Sequence, residues 1–150
     1  MLNHRITYFG LLRAPTSWAK VGREITESLL ELGVRVNIYE RKGFLYNPAF
    51  PLSPELISRT LNTFDKDSLV LTFEHPLNYK YMKGKKKIGI LTWETTLAPE
   101  RWARSINSHL DLLLVPSLFC FRAFKKSGVG VDTLLLPHGF NPKIFRPSLP

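Results

Sequence analysis

Four polar residues of this chain stand where short apolar runs end. Glu74 and His75 follow the run Ser68–Phe73, Glu94 follows Lys87–Trp93, and His138 follows Thr133–Leu136. A carboxylate in that position accepts hydrogen bonds from sugar hydroxyls or takes a proton. Gly10 closes the first run, where bare backbone can approach a phosphate or a sugar. Arg13, in the same loop, carries a planar fork that can grip an anion. Trp18 opens the segment after that loop, Thr95 stands beside Glu94, Ser117 opens a segment near the fifth run, and Gly139 follows His138. Each also has a purely structural reading. Gly10 serves as a strand-to-helix turn, Arg13 as a surface cation, and Glu94 as a capping acid for the helix near Pro99. His75 can simply finish its strand, and Ser117 can be an N-cap. No G-x-G-x-x-G sequence is present, which argues against a nicotinamide-binding site.

These residues share an edge only if the runs are parallel strands, and the pattern between them supports that. Arg5–Phe9 reads as a first strand. Ser17–Leu32 reads as a helix, with Trp18, Val21, Ile25, Leu29 and Leu32 at spacings of three and four. Thr16 or Ser17 can cap its start and Gly33 can end it. Val34–Tyr39 is a second strand, and a loop rich in Gly, Asn and Pro follows. Ser53-Pro54-Glu55 is a helix start, and that helix should end near Asn62. Ser68–Phe73, Lys87–Trp93, Asp111–Val115 and Thr133–Leu136 are the remaining strands. Between them come a short helix or turn at Pro76–Met82, a helix at Pro99–His109 and a helix at Leu118–Ser127 that Gly128 closes. Most of the strands are continuously apolar, as expected when both faces of a sheet are covered. The expected fold class is therefore α/β: a Rossmann-like, doubly wound, mainly parallel sheet of about six strands with helices on both faces. Ligands of such sheets bind outside the strands' carboxyl ends.

Composition narrows the rest. The 150 residues make one ordinary domain, and 44% apolar content can fill its core. No apolar run approaches the ~18–20 residues that span a bilayer, and the N-terminus does not read as a signal peptide. One cysteine, Cys120, flanked by Phe119 and Phe121, excludes an internal disulfide or a cysteine metal cluster and suggests a buried small hydrophobe. A cytoplasmic protein follows, and no metal is expected. The formal charge of +9 favours anionic partners. Part of it sits in Lys80, Lys83, Lys85, Lys86 and Lys87. That run is either a solvated loop or a patch for the inner membrane face, with Tyr79, Tyr81 and Met82 as interfacial side chains.

The tail Asp111–Pro147, DLLLVPSLFCFRAFKKSGVGVDTLLLPHGFNPKIFRP, resembles the end of the N-terminal domain of group 1 retaining glycosyltransferases with the two-domain GT-B fold. Leu91–Trp102, LTWETTLAPERW, is similar to the Trp/Phe-Glu-(Ser/Thr)…Pro…Trp segment of one branch. Gly10 with Ser17-Trp18-Ala19, and Arg23-Glu24 through Leu32-Gly33-Val34, look like the family's first loop, helix and second strand. The likeness is strong from Lys87 onward and weak from Lys42 to Asp67. It implies an acceptor-side domain, with Gly10, Arg13, Trp18, Glu74, His75, Glu94, Thr95, Ser117, His138 and Gly139 along the cleft. It also implies a sugar acceptor, and a nucleotide-sugar as donor substrate of the full enzyme with no metal or other cofactor. A C-terminal donor-binding domain is the implied partner, with residues 143–150 as the start of the linker to it. The Glu-x7-Glu pair that commonly marks the family's donor half does not occur here, and where many relatives carry Asp this chain has Asn141. The isolated chain is expected to be inactive, and a homodimer could hide the exposed cleft. The rival reading is a stand-alone basic domain that binds a phosphorylated or lipid-linked glycan or a nucleic acid. The absence of aromatic-basic interleaving or a helix-turn-helix signature argues against nucleic acid.

Overall fold

The computed structural model describes residues 5–142 and 144–146. Of the expected linker 143–150, residues 143 and 147–150 lie outside the described residues.

Six strands form one parallel sheet: β1 (Ile6–Gly10), β2 (Val36–Glu40), β3 (Leu69–Thr72), β4 (Lys86–Ile90), β5 (Leu112–Val115) and β6 (Asp132–Leu135). Their spatial order is β2-β1-β3-β4-β5-β6 and every pairing is parallel. The helices are α1 (Ser17–Glu31), α2 (Pro54–Ser58), α3 (Glu100–His109) and α4 (Leu118–Lys126), with a 3-10 turn at Pro76–Tyr81. The α/β, doubly wound reading of the sequence holds, and strand ends shift by one to three residues.

Alternation along the strands divides the core into two layers. Tyr8, Val36 and Ile38 point to one face and pack with Leu12, Leu56 and the α1 residues Leu29 and Leu30. Phe9, Val70, Leu113 and Val115 point to the other, where Tyr79, Met82, Trp102, Ile106 and Phe124 cover them from the 3-10 turn, α3 and α4. Each fully buried side chain of this size contributes about 1.5–3 kcal/mol. Phe9, Tyr39 and Phe64 close that second layer under β1 and β2, with the Tyr39 and Phe64 rings 4.0 Å apart.

The packed stripe of α1 differs from the expected one. Ala19, Gly22 and Thr26 are buried, while Leu32 is 78% exposed. The reason is Tyr8. Its ring stands upright beneath α1, and a Cβ on Gly22 would come within 2.3 Å of the hydroxyl. Small residues let the helix axis approach the sheet there. Thr16 caps the helix start by accepting from Ala19 N, and Gly33 ends it at φ +76°. The helix expected from Ser53 to near Asn62 is also shorter, ending at Ser58. Residues 59–61 instead run alongside β2, where Ile38 N donates to Arg59 O and Leu61 N to Ile38 O. That covers one edge of the sheet.

Among the described residues nothing pairs with the opposite edge, β6. On β6, Leu134 and Leu135 are about half exposed. Helix α1 touches β1 and β2, whereas α3 and α4 lie on the other face. Leu71, Ile88, Leu112 and Leu114 therefore remain half-buried on a face that the described helices leave open.

The Tyr8 hydroxyl is fully buried and comes near the Phe73 backbone without completing a hydrogen bond. Replacing it should thus cost little, since no bond is lost. Gly22→Ala should destabilise the fold. Overpacking costs about 1–3 kcal/mol, which exceeds the roughly 1 kcal/mol that alanine adds to a helix. In a Tyr8→Phe background that cost should shrink by about 1 kcal/mol or more in urea denaturation. An unchanged cost would sink the account of Tyr8 as the spacer.

Candidate functional site

The sheet order reverses direction between β1 and β3, because the chain leaves β1 toward β2 and leaves β3 toward β4. The loops above these two strands diverge, and a crevice opens at such a point. Here it is a cleft of about 210 Å³ lined by Leu11, Thr16, Trp18, Arg41, Leu45, Phe73, Glu74 and His75.

Two ion pairs hold this edge: Arg41–Glu74 lines the cleft, and Arg13–Glu40 lies behind the lining. Glu40, at the end of β2 with its side chain 3% exposed, accepts from Arg13 N at 2.8 Å and from Arg13 Nε at 2.8 Å, and meets the same guanidinium's Nη2 at 2.7 Å. The bond to Glu40 holds Arg13 more firmly protonated than usual. Glu74, just past β3 with its side chain 7% exposed, accepts from Arg41 Nε at 2.7 Å, His75 N at 2.9 Å and Asn78 Nδ2 at 3.1 Å. Arg41 N donates to Gly10 O at 2.9 Å. The exits of β1, β2 and β3 are thus tied through one arginine. Arg23 donates to the carbonyls of Leu12 and Ala14, which holds the β1–α1 loop in place. A buried carboxylate stripped of such a partner costs about 3–5 kcal/mol.

Aromatic rings line the rim in two strings. Trp18 packs on Phe73 at 5.1 Å between ring centres, and His138 meets Phe73 edge-on at 5.9 Å. His75 meets Trp102 edge-on at 4.7 Å, and Trp102 meets Trp93 at 4.6 Å. His75 Nδ1 accepts from Leu77 N at 3.3 Å, so the neutral ring carries its proton on Nε2. Burial lowers the His75 pKa. Glu74 opposes that shift, while Arg101 and Arg41 reinforce it.

The structure brings Trp18, Glu74, His75 and His138 together around one cleft, with Gly10 and Arg13 in its supporting loop. Gly10 is buried, and a Cβ there would meet the Tyr8 ring at 3.0 Å, so it serves packing. Arg13 is spent on Glu40 rather than open to an anion. Ser117 is the N-cap of α4, accepting from Cys120 N. Glu94 and Thr95 lie at the end of β4, away from the cleft lining; Glu94 is exposed and does not cap α3, whose N-cap is Pro99. Thr95 Oγ1 and Trp93 Nε1 both donate to Leu97 O, which folds this segment back on itself. Gly139 is exposed with open space around it.

Sequence reasoning missed Arg41, Glu40, Leu45 and Phe73. Glu40-Arg41 follows β2 directly, so the strand-end rule that found the others would have found this pair too. The basic run needs a correction. Lys80 to Lys87 lies toward the amino end of β4, across the sheet from the cleft. Tyr79 is fully buried and Met82 is 4% exposed, because the 3-10 turn places residues three apart on its inner side. Of the three expected interfacial side chains, Tyr81 alone is exposed. Lys86 pairs with Asp111 at 3.0 Å. No helix of the described residues is long and apolar enough to cross a membrane.

His75 makes stability depend on pH. Its folded pKa lies below the ordinary ~6.5, so the unfolded chain binds the proton more readily. The stability it contributes is present above about pH 6.5 and is lost as pH falls through the folded value. Thermal melting followed by circular dichroism from pH 8 to pH 5 should show this fall. His75→Asn, which keeps an acceptor for Leu77 N, should flatten it; an unchanged slope would remove His75 as the cause.

No protein-family model matches the chain, and no curated protein matches it either.

Proposed function

We propose that this chain is the acceptor-side half of a retaining glycosyltransferase that moves a sugar from a nucleotide-sugar to a hydroxyl acceptor. The observation that carries the reading is the cleft. It opens at the carboxyl edge of a parallel sheet, at the reversal of strand order, with aromatic rings and an arginine-held carboxylate around it. The resemblance of Leu91–Trp102 and Asp111–Pro147 to this family supplies the reaction class.

Large apolar side chains near the same edge support a second half that closes over it. Leu97, Leu118, Phe119 and Phe140 are each about half exposed or more. Exposed apolar clusters of this kind mark interaction surfaces. The donor-binding domain is the partner that this reading requires.

The chemistry expected of this half is positioning. Glu94 has no hydrogen bond or ion pair among the described residues and its carboxylate is open to solvent. It lies outside the cleft lining, so it suits accepting a hydrogen bond from a hydroxyl that reaches beyond the cleft, along the edge over which the second half would close. Trp18 and Phe73 hold the acceptor ring, and Glu74 with Arg41 fixes its hydroxyls. Orientation of donor and acceptor, with stabilisation of the departing phosphate by the donor half, lowers the barrier without a protein nucleophile. The reading places the reaction in the cytoplasm, with Lys80, Lys83 and Lys85 available to an anionic membrane surface.

Two measurements test it. The chain alone, given a panel of nucleotide-sugars and sugar acceptors, should show no robust transfer. Deleting the source gene should remove one sugar from the cell's glycolipids or polysaccharides. Restoring the gene should return that sugar, and Glu94→Gln should return far less of it. Unchanged glycans together with steep salt-dependent RNA or DNA binding would favour a nucleic-acid role instead.

A further inference from the structure

The two charged side chains that line the cleft between β1 and β3 are paired with each other. Arg41 is bound to Glu74, Arg13 behind the lining is bound to Glu40, and burial lowers the His75 pKa, with Arg101 acting on the ring from outside the lining. A site built for phosphate or carboxylate keeps an uncommitted cation. This one keeps a mixture of donors and acceptors beside apolar rings.

We propose that this cleft, where the Trp18 and Phe73 rings face the Arg41–Glu74 pair, seats a single uncharged sugar ring and discriminates against sugars that carry phosphate or carboxylate. The inference rests on the glycosyl-transfer reading for its ligand class and names the kind of acceptor residue that the site takes.

Size is the first reason. About 210 Å³ falls below the roughly 300–1,000 Å³ of pockets that enclose drug-sized ligands. The cleft is open on one side, so it encloses about one ring and leaves the rest of a longer ligand outside.

Hydrogen-bonding capacity is the second. Sugar hydroxyls each donate and accept, so neighbouring hydroxyls need both kinds of partner. Arg41 commits Nε to Glu74, and its two terminal nitrogens remain as donors. His75 offers Nε2–H, because Nδ1 is engaged by Leu77 N. The Thr16 hydroxyl accepts from Ala19 N and keeps its own proton to donate. Glu74 supplies the acceptor. One of its oxygens takes His75 N and Asn78 Nδ2, and the other takes Arg41 and keeps a lone pair. Trp18, Phe73, Leu11 and Leu45 offer apolar surface to the ring's C–H face.

Charge is the third. An anion here would sit beside Glu74 and could recruit Arg41 only by loosening a buried pair. The start of α1 does pull the other way, since helix N-termini favour anions. That pull is blunted because Thr16 already takes the Ala19 amide through its side chain and the Lys20 amide through its carbonyl.

The test is ligand binding by the whole chain, read in ¹H–¹⁵N spectra that include the Trp18 indole. The neutral probes are the methyl glycosides of glucose, galactose, mannose and N-acetylglucosamine. The charged probes are glucuronate, glucose 1-phosphate and inorganic phosphate. At least one neutral glycoside should shift the Trp18 indole and the Leu11 and Thr16 amides. The charged probes should bind at that place about tenfold more weakly or worse, a gap of roughly 1.4 kcal/mol. Trp18→Ala should abolish the response. Leu45→Trp, at an exposed position, should block the cleft without disturbing the core and give the same loss. Tighter binding of a charged probe that depends on Arg41 would overturn the proposal, and so would the failure of every neutral glycoside to shift these signals. The two readings fail separately. A charged preference in a chain whose gene still controls a glycan sinks only this inference. A neutral sugar in the cleft with unchanged cellular glycans sinks only the transferase reading.

Discussion

The buried carboxylate of Glu74 is the point on which the carboxyl edge of this sheet depends. It leaves β3 where strand order reverses, and burial leaves water little access to it there. Three donors replace the water: Arg41 from beyond β2, the His75 amide and the Asn78 amide group from the 3-10 turn. Arg41 in turn donates its backbone N–H to Gly10 at the end of β1. Arg41, through its backbone amide to β1 and its side chain to Glu74, therefore links three strand exits. The attraction within such a pair roughly offsets its desolvation, so its contribution is geometric more than energetic. The Arg13–Glu40 pair repeats the device one strand over and fixes the loop that carries the cleft's other wall.

The layers beneath follow from the sizes of a few side chains. Tyr8 stands between sheet and helix, so α1 presents glycine, alanine and threonine where it crosses the ring. On the other face, Gly89 clears space for the Tyr79 ring and for Leu110, and a Cβ there would come within 2.6 Å of Leu110. Both tyrosines bury hydroxyls without partners, and burial, with Glu74 nearby, raises both of their pKa values. Neither hydroxyl ionises in the folded chain under ordinary conditions.

The uneven covering of the sheet bears on function as much as the cleft does. The β2 edge is closed by the chain's own residues 59–61, and the face over β1 and β2 by α1. The β6 edge exposes leucines, and Leu118, Phe119 and Phe140 add apolar surface near the carboxyl edge. An all-parallel sheet normally buries both faces. The open area would suit a second body resting against this face, which the proposed transferase requires.

Strand and helix order was legible in the sequence because it rests on local signals: apolar runs, the Thr16 and Ser53 caps, Gly33 and Gly128 as stops, and proline at helix starts. Glu74, His75, Trp18 and His138 were legible as edge residues because each follows a strand or opens the next helix. What the local pattern could not convey was which partner each charge would take. Arg13 reads as an anion grip until β2 brings Glu40 beside it, and Arg41 goes unremarked until Glu74 arrives from thirty-three positions away. The α1 face was misread for a related reason. Hydrophobic spacing marks the larger side chains, but the height of the Tyr8 ring decides which residues fit against the sheet. Sequence by itself determined the elements and the edge at which polar groups gather, since both depend on neighbours along the chain. Tertiary structure alone decided which of those groups are paired, neutral or free, because desolvation and charge cancellation depend on neighbours in space.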